Sequence, residues 1–152
     1  MSILSNMHLK TIVKGLIAGF LILVFTILVV KIYRSQISQE REMASKEVGD
    51  FERLTHVNTL VSAVAAYRND HAGELPGPIG SDGKYICRSE VYSDCTDLVD
   101  LRPLLKSYIL AFPSDPSAPI GANTYYLIKV DDKGQIIVSA PRSETKPISA
   151  TR

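Results

Sequence analysis

Few side chains in this sequence are of the kinds that bind metals, move protons or attack substrates, and their spacing limits what they do. Cys87 and Cys95 are the only two cysteines and bracket the short segment CRSEVYSDC. Two thiols this close suit a disulfide in an oxidising compartment. They would also make half of a zinc site. Such a site needs further ligands, and His8, His56 and His71 show no ligand spacing to the pair. The disulfide is the expected bond. Asp131-Asp132 is the most suggestive acidic pair, but calcium takes about six or more oxygens and this stretch offers few. The pair, followed by Lys133-Gly134, reads as a hairpin turn. Asp94, Asp97 and Asp100 read as a solvated loop and a helix cap.

No P-loop, Gly-x-Ser-x-Gly, His-Glu-x-x-His or paired-cysteine metal motif occurs. The chain is therefore expected not to be an enzyme, with no cofactor, no metal and no identified small-molecule substrate. Of its 17 Lys and Arg residues, Lys10 and Lys14 precede Val30, whereas all 16 Asp and Glu residues follow it. The remainder is one charge short of neutral, so no electrostatic footprint for phosphates exists and no nucleic-acid partner is expected.

The elements that carry these residues begin with an apolar run. From Gly15 to Val30 (GLIAGFLILVFTILVV) no side chain is charged. Spanning a bilayer takes about 20 residues at about 1.5 Å each. Residues 12–33 reach that length if Lys14 and Lys31 extend their ammonium groups to the two interfaces, where Tyr33 and Arg34 also belong. A buried helix of a soluble protein would show a polar face, and this segment shows none. A cleaved signal would end in a small-x-small site, whereas Val29-Val30-Lys31-Ile32-Tyr33-Arg34 follows here. The segment reads as an uncleaved anchor with the lipid bilayer as its partner. The disulfide expectation places the C-terminal part outside the cytoplasm.

Beyond the anchor, Val48, Phe51, Leu54, Val57, Leu60, Val61, Val64 and Tyr67 recur at helical spacing. Val48, Phe51, Leu54, Val57, Val61 and Val64 are the expected packing face, with Glu52, Arg53, Asn58, Ser62 and Arg68 opposite. The helix is expected to end near residues 70–72, with Gly73 in the left-handed position and Pro76 beyond. Gly49 is a weak point, beside which Asp50 would cap a new helix. A turn-rich loop, the cysteine segment and a short helix over 97–109 capped by Asp100 follow. Residues 124–130 and 135–140 read as a hairpin, with Tyr125, Leu127 and Lys129 of one strand and Ile136 and Val138 of the other offered to the helix. Residues 141–152 read as a disordered tail. The expected class is α+β: a long N-terminal helix, half membrane-spanning and half amphipathic, packed on a small antiparallel β-hairpin or sheet.

This order of elements resembles the type IV pilins and type II secretion pseudopilins. The stretch LVSAVAAYRNDHAGELP (60–76) is similar to the end of a pilin first helix, and Phe112-Pro113-Ser114-Asp115-Pro116 to the family's L-P-x-D-P element. Tyr125-Tyr126, Asp132-Lys133-Gly134 and Val138-Ser139-Ala140 resemble its terminal strands. The resemblance implies a long helix packed against an antiparallel sheet, and first helices that bundle into a filament core. The N-terminus departs from the family pattern. Family prepilins carry a basic leader, a Gly-Phe cleavage step and a Glu at the fifth mature position. Here the only such step is Gly19-Phe20, the fifth position from Phe20 is Val24, and no acidic residue precedes Glu40.

The resulting division is a cytoplasmic segment (1–11), a transmembrane helix (12–33), an extracytoplasmic pilin-like domain (34–140) and the tail (141–152). Two functions follow as expectations. One is a structural subunit of a pilus or secretion-type assembly in the cytoplasmic membrane, associating with itself or with other pilin-like subunits through its first helix. The other is a non-polymerising, membrane-anchored binding or accessory protein with a pilin-like fold.

Overall fold

The computed structural model describes the backbone from Ser2 onward and the side-chain surroundings of residues 19, 21 and 23–152. The chain divides into two units, residues 1–44 and 45–152. One helix, α1 (Ser2–Asp70), supplies the first unit and opens the second. It passes through Gly49 without a break, so Asp50 caps no new helix. A Cβ at Gly49 would lie 3.2 Å from the Arg53 guanidinium, which the missing side chain leaves room for.

In the first unit, Leu21, Leu23, Phe25, Leu28 and Ile32 are all exposed, as are Lys31, Tyr33 and Arg34. Lys14 and positions 12–18, 20 and 22 of the expected anchor, together with segment 1–11, lie outside the described side chains. Among the described residues, no helix is long and apolar enough to cross a membrane.

In the second unit, four strands follow α1: β1 (Lys84–Cys87), β2 (Asn123–Val130), β3 (Ile136–Ala140) and β4 (Ile148–Thr151). They form one antiparallel sheet in the order β1-β2-β3-β4. The α+β class is as expected. The core joins Val57, Leu60, Val61 and Val64 of α1 to Ile86, Tyr126, Ile128, Ile136, Val138 and Ile148 of the sheet, all nearly inaccessible to water. Each such aliphatic side chain contributes about 1.5–3 kcal/mol on burial.

The hairpin of β2 and β3 turns at Asp131, whose Oδ1 accepts the Lys133 and Gln135 N–H groups, with Gly134 at φ +75°. Its inward face differs from expectation on one strand. Thr124, Tyr126 and Ile128 point into the core, not Tyr125, Leu127 and Lys129, while Ile136 and Val138 point inward as expected. A shift of one residue exchanges the two faces of a strand. The hairpin register is the cause: Ile128 pairs with Val138 and Val130 with Ile136, so the even-numbered residues of β2 share the inward face of β3.

Two further expectations are corrected. Residues 141–152 are not a disordered tail, because β4 pairs with β3 from Ala140↔Ile148 to Ile137↔Thr151 and buries Ile148. The short helix over 97–109 is only a 3-10 turn at Arg102–Leu104, although Asp100 Oδ1 does accept the Arg102 N–H at 2.9 Å. At the end of α1, Gly73 takes the left-handed position as expected, with φ +95°. Ala72 before it also has positive φ, +53°, and the Gly73 N–H reaches back to the Arg68 carbonyl at 2.8 Å.

Cys87 and Cys95 are joined, tying the end of β1 to the loop that follows it. Replacing both with alanine is expected to lower unfolding stability by about 2–3 kcal/mol, since the unfolded chain regains the freedom of that loop. Urea denaturation of the two proteins, read by tyrosine fluorescence, checks this.

Candidate functional site

The apolar stripe read from the sequence divides in two. Val57, Val61 and Val64 are fully buried, whereas Val48, Phe51 and Leu54 are 69%, 72% and 40% exposed. The inward positions of the preceding turns are instead Asp50 and Arg53, at 5% and 1% exposure. Arg53 therefore lies on the packed face and not on the polar one. It is the largest fully buried side chain among the described residues.

Arg53 holds two loops against α1. Its Nε donates to Asp115 Oδ2 at 2.8 Å and its Nη2 to Asp115 Oδ1 at 3.3 Å, a two-pronged pair with the loop before β2. Its Nη1 donates to Asp50 Oδ1 at 3.0 Å and to Glu144 Oε1 at 3.3 Å. One guanidinium cannot neutralise two buried carboxylates by charge alone. Neutral donors complete the balance. Asp50 accepts the Glu144 N–H at 2.9 Å, the Thr145 N–H at 2.7 Å and the Thr145 hydroxyl. Asp115 accepts the Ser117 N–H at 2.8 Å and its hydroxyl at 2.6 Å. The two loops are also tied to each other. Arg142 Nη1 donates to the Ser117 carbonyl at 2.7 Å, and its guanidinium lies 4.1 Å above the Tyr125 ring.

Burial pushes the Asp50 and Asp115 carboxyls up, but these hydrogen bonds outweigh it and hold both below the ordinary value of 3.8. One turn further along α1, His56 Nδ1 meets the Tyr126 hydroxyl at 2.8 Å. Burial pushes the Tyr126 phenol up, so it stays protonated, and the imidazole tautomer decides which of the two groups donates. Burial also pushes the His56 imidazole down, against the opposing pull of Glu52 and Asp115.

This cluster is a fastening. The buried side chains of Arg53, Asp50 and Asp115 bond to one another, and Asp50 also borders the cleft beside Phe51. Its outcome is the exposed stripe of Val48, Phe51 and Leu54, beside a cleft of about 410 Å³ that Phe51, Leu54, Lys146 and Ile148 help to line. That apolar stripe is the candidate interaction site. Among the described residues no group of three or more His, Cys, Asp or Glu is placed to hold a metal. Asp94 and Asp131 instead accept hydrogen bonds from nearby backbone N–H groups.

Sequence reasoning missed the fastening because Arg53 sits at helical spacing from other polar residues. The available signal was Asp50 and Arg53 one turn apart, with Asp115 in the turn-rich Phe112–Pro116 element.

Replacing Arg53 with methionine strands two buried carboxylates and is expected to cost about 3–5 kcal/mol, measured by denaturation at neutral pH. The pH dependence follows from the same groups. Native Asp50 and Asp115 bind protons more weakly than in the unfolded chain. Their contribution is complete above pH 3.8 and is lost as pH falls through their depressed native values. His56 acts nearer neutrality. The unfolded chain takes up its proton first, so stability declines as pH falls below 6.5 until the native ring also protonates. Melting temperatures recorded from pH 8 to about pH 2 should show both declines, and His56→Gln should remove only the one nearer neutrality.

No protein-family model, no curated protein and no solved structure matches the chain.

Proposed function

We propose that this protein is a pilin-like structural subunit, anchored in the cytoplasmic membrane through residues 12–33 with its second unit outside. It joins a type IV pilus or type II secretion-like assembly through α1. The observation that carries this reading is the surface of the helix. Large apolar side chains from Leu21 to Tyr33 are exposed on all sides, within a run that has no charge between Gly15 and Val30. Water does not stabilise such a surface, and lipid or neighbouring helices do. Three further features support it. The same helix continues unbroken into the core of the second unit, that core is closed by an antiparallel sheet, and a disulfide fits an oxidising compartment. Resemblance of the 60–76 and 112–116 segments to pilins adds the type of assembly.

One observation favours a second reading. No acidic residue precedes Glu40, so the helix lacks the carboxylate that sets register between pilin first helices. A membrane-anchored accessory protein that does not polymerise needs no such group.

Both readings are tested in cells with Leu28→Cys, which adds a single thiol beside the native disulfide. A subunit should resist carbonate extraction from membranes and give crosslinked dimers, and it should appear in sheared surface filaments. Anchored protein that gives only monomers would leave the second reading standing. Release of the protein by carbonate would overturn both.

A further inference from the structure

The two edges of the sheet are built differently. On the β1 side, the Cys87 N–H donates to the Val99 carbonyl at 2.9 Å and the Val99 N–H to the Tyr85 carbonyl at 2.8 Å, so the edge is covered. On the β4 side, Ile136 and Arg152 exchange both backbone hydrogen bonds. In an antiparallel ladder the bonded pairs alternate, so Ile148 and Ala150 also face β3. The N–H and C=O groups of Ser149 and Thr151 then point away from the sheet, and both residues are exposed without a partner among the described residues. Neither a proline nor a charged side chain interrupts the four residues of β4. An edge left open in this way is a template for another strand.

The helix beneath is left open at the same place. Ile148 points inward from β4, and Phe51 and Leu54 lie with it on the cleft, although both are exposed. A fifth strand beside β4 would bond to four backbone groups of Ser149 and Thr151. Its inward side chains would fall on Phe51 and Leu54. Lys146 and Arg152, both exposed, stand at the two ends of the edge.

We propose that this edge docks an extended segment of another protein, with apolar side chains at alternate positions and acidic residues at its ends. A second copy of this chain fits poorly. Its β1 edge is closed, and antiparallel pairing of two β4 strands about Ser149 sets the Lys146 of each copy opposite the Arg152 of the other. Like charges placed this way oppose pairing.

The probe is a synthetic peptide of alternating valine and threonine with aspartate at both ends, titrated into the full chain in detergent micelles. Binding should saturate and slow hydrogen exchange at the Ser149 and Thr151 amides. Thr151→Pro removes an outward N–H that β3 does not use, and should weaken binding about tenfold. Phe51→Ser, at an exposed position, should weaken it too while leaving the melting temperature unchanged. The same peptide ending in lysine should bind less well. No saturable binding, or binding indifferent to both substitutions, would overturn the proposal. So would protection of the two amides that rises with protein concentration and needs no peptide, because the occupant would then be a second copy.

Discussion

The second unit depends on one buried cation. Hydrophobic burial holds the sheet against the later turns of α1, through Val57, Leu60, Val61 and Val64. Burial of this kind is non-directional and does little to fix which way the preceding turns face. Arg53 supplies that direction. Its fork engages Asp115 from one loop, Asp50 from its own helix and Glu144 from a second loop, while Thr145 and Ser117 donate to the carboxylates. Desolvating three charges is costly, and the arrangement is stable only because the donors complete it. A fully bonded network tolerates no rotation of the helix, and Val48, Phe51 and Leu54 are thereby held outward.

That interaction explains where the sequence was legible and where it was not. The periodicity that placed Val57, Val61 and Val64 inward was sound, since all three belong to the apolar core. It failed at Val48, Phe51 and Leu54, because apolar spacing carries no information about a charged residue packed on the adjoining face. The hairpin was readable from β-branched and aromatic residues around Asp131–Gly134. Its inward face was not fully readable, because Tyr125 and Tyr126 suit either face and the register with β3, Ile128 opposite Val138, decides between them. β1 was hidden between the turn-rich loop and the cysteine segment, where four residues make a weak signal. β4 was hidden by composition: Ile148 is its only large apolar side chain, and its order comes from pairing with β3. The disulfide was readable from cysteine count and spacing alone.

A consistent division of labour emerges along α1. The apolar side chains described in its first unit are exposed, and its last turns carry the core of the folded unit. Between them lies a short exposed stripe at the sheet's open side. In the proposed reading the first of these surfaces meets lipid and neighbouring helices. The stripe, which the Arg53 fastening keeps out of the core, is left for contacts made by the folded unit.

The central claim is that Arg53 holds both loops to the helix. Hydrogen exchange at the Ser117, Glu144 and Thr145 amides tests it most directly, because these three N–H groups donate to Asp115 and Asp50. In the wild-type chain they should exchange slowly. In Arg53→Met they should exchange much faster, while the amides of Ile128 and Val138 in the sheet remain protected. Unchanged protection of the three loop amides in that variant would contradict the account.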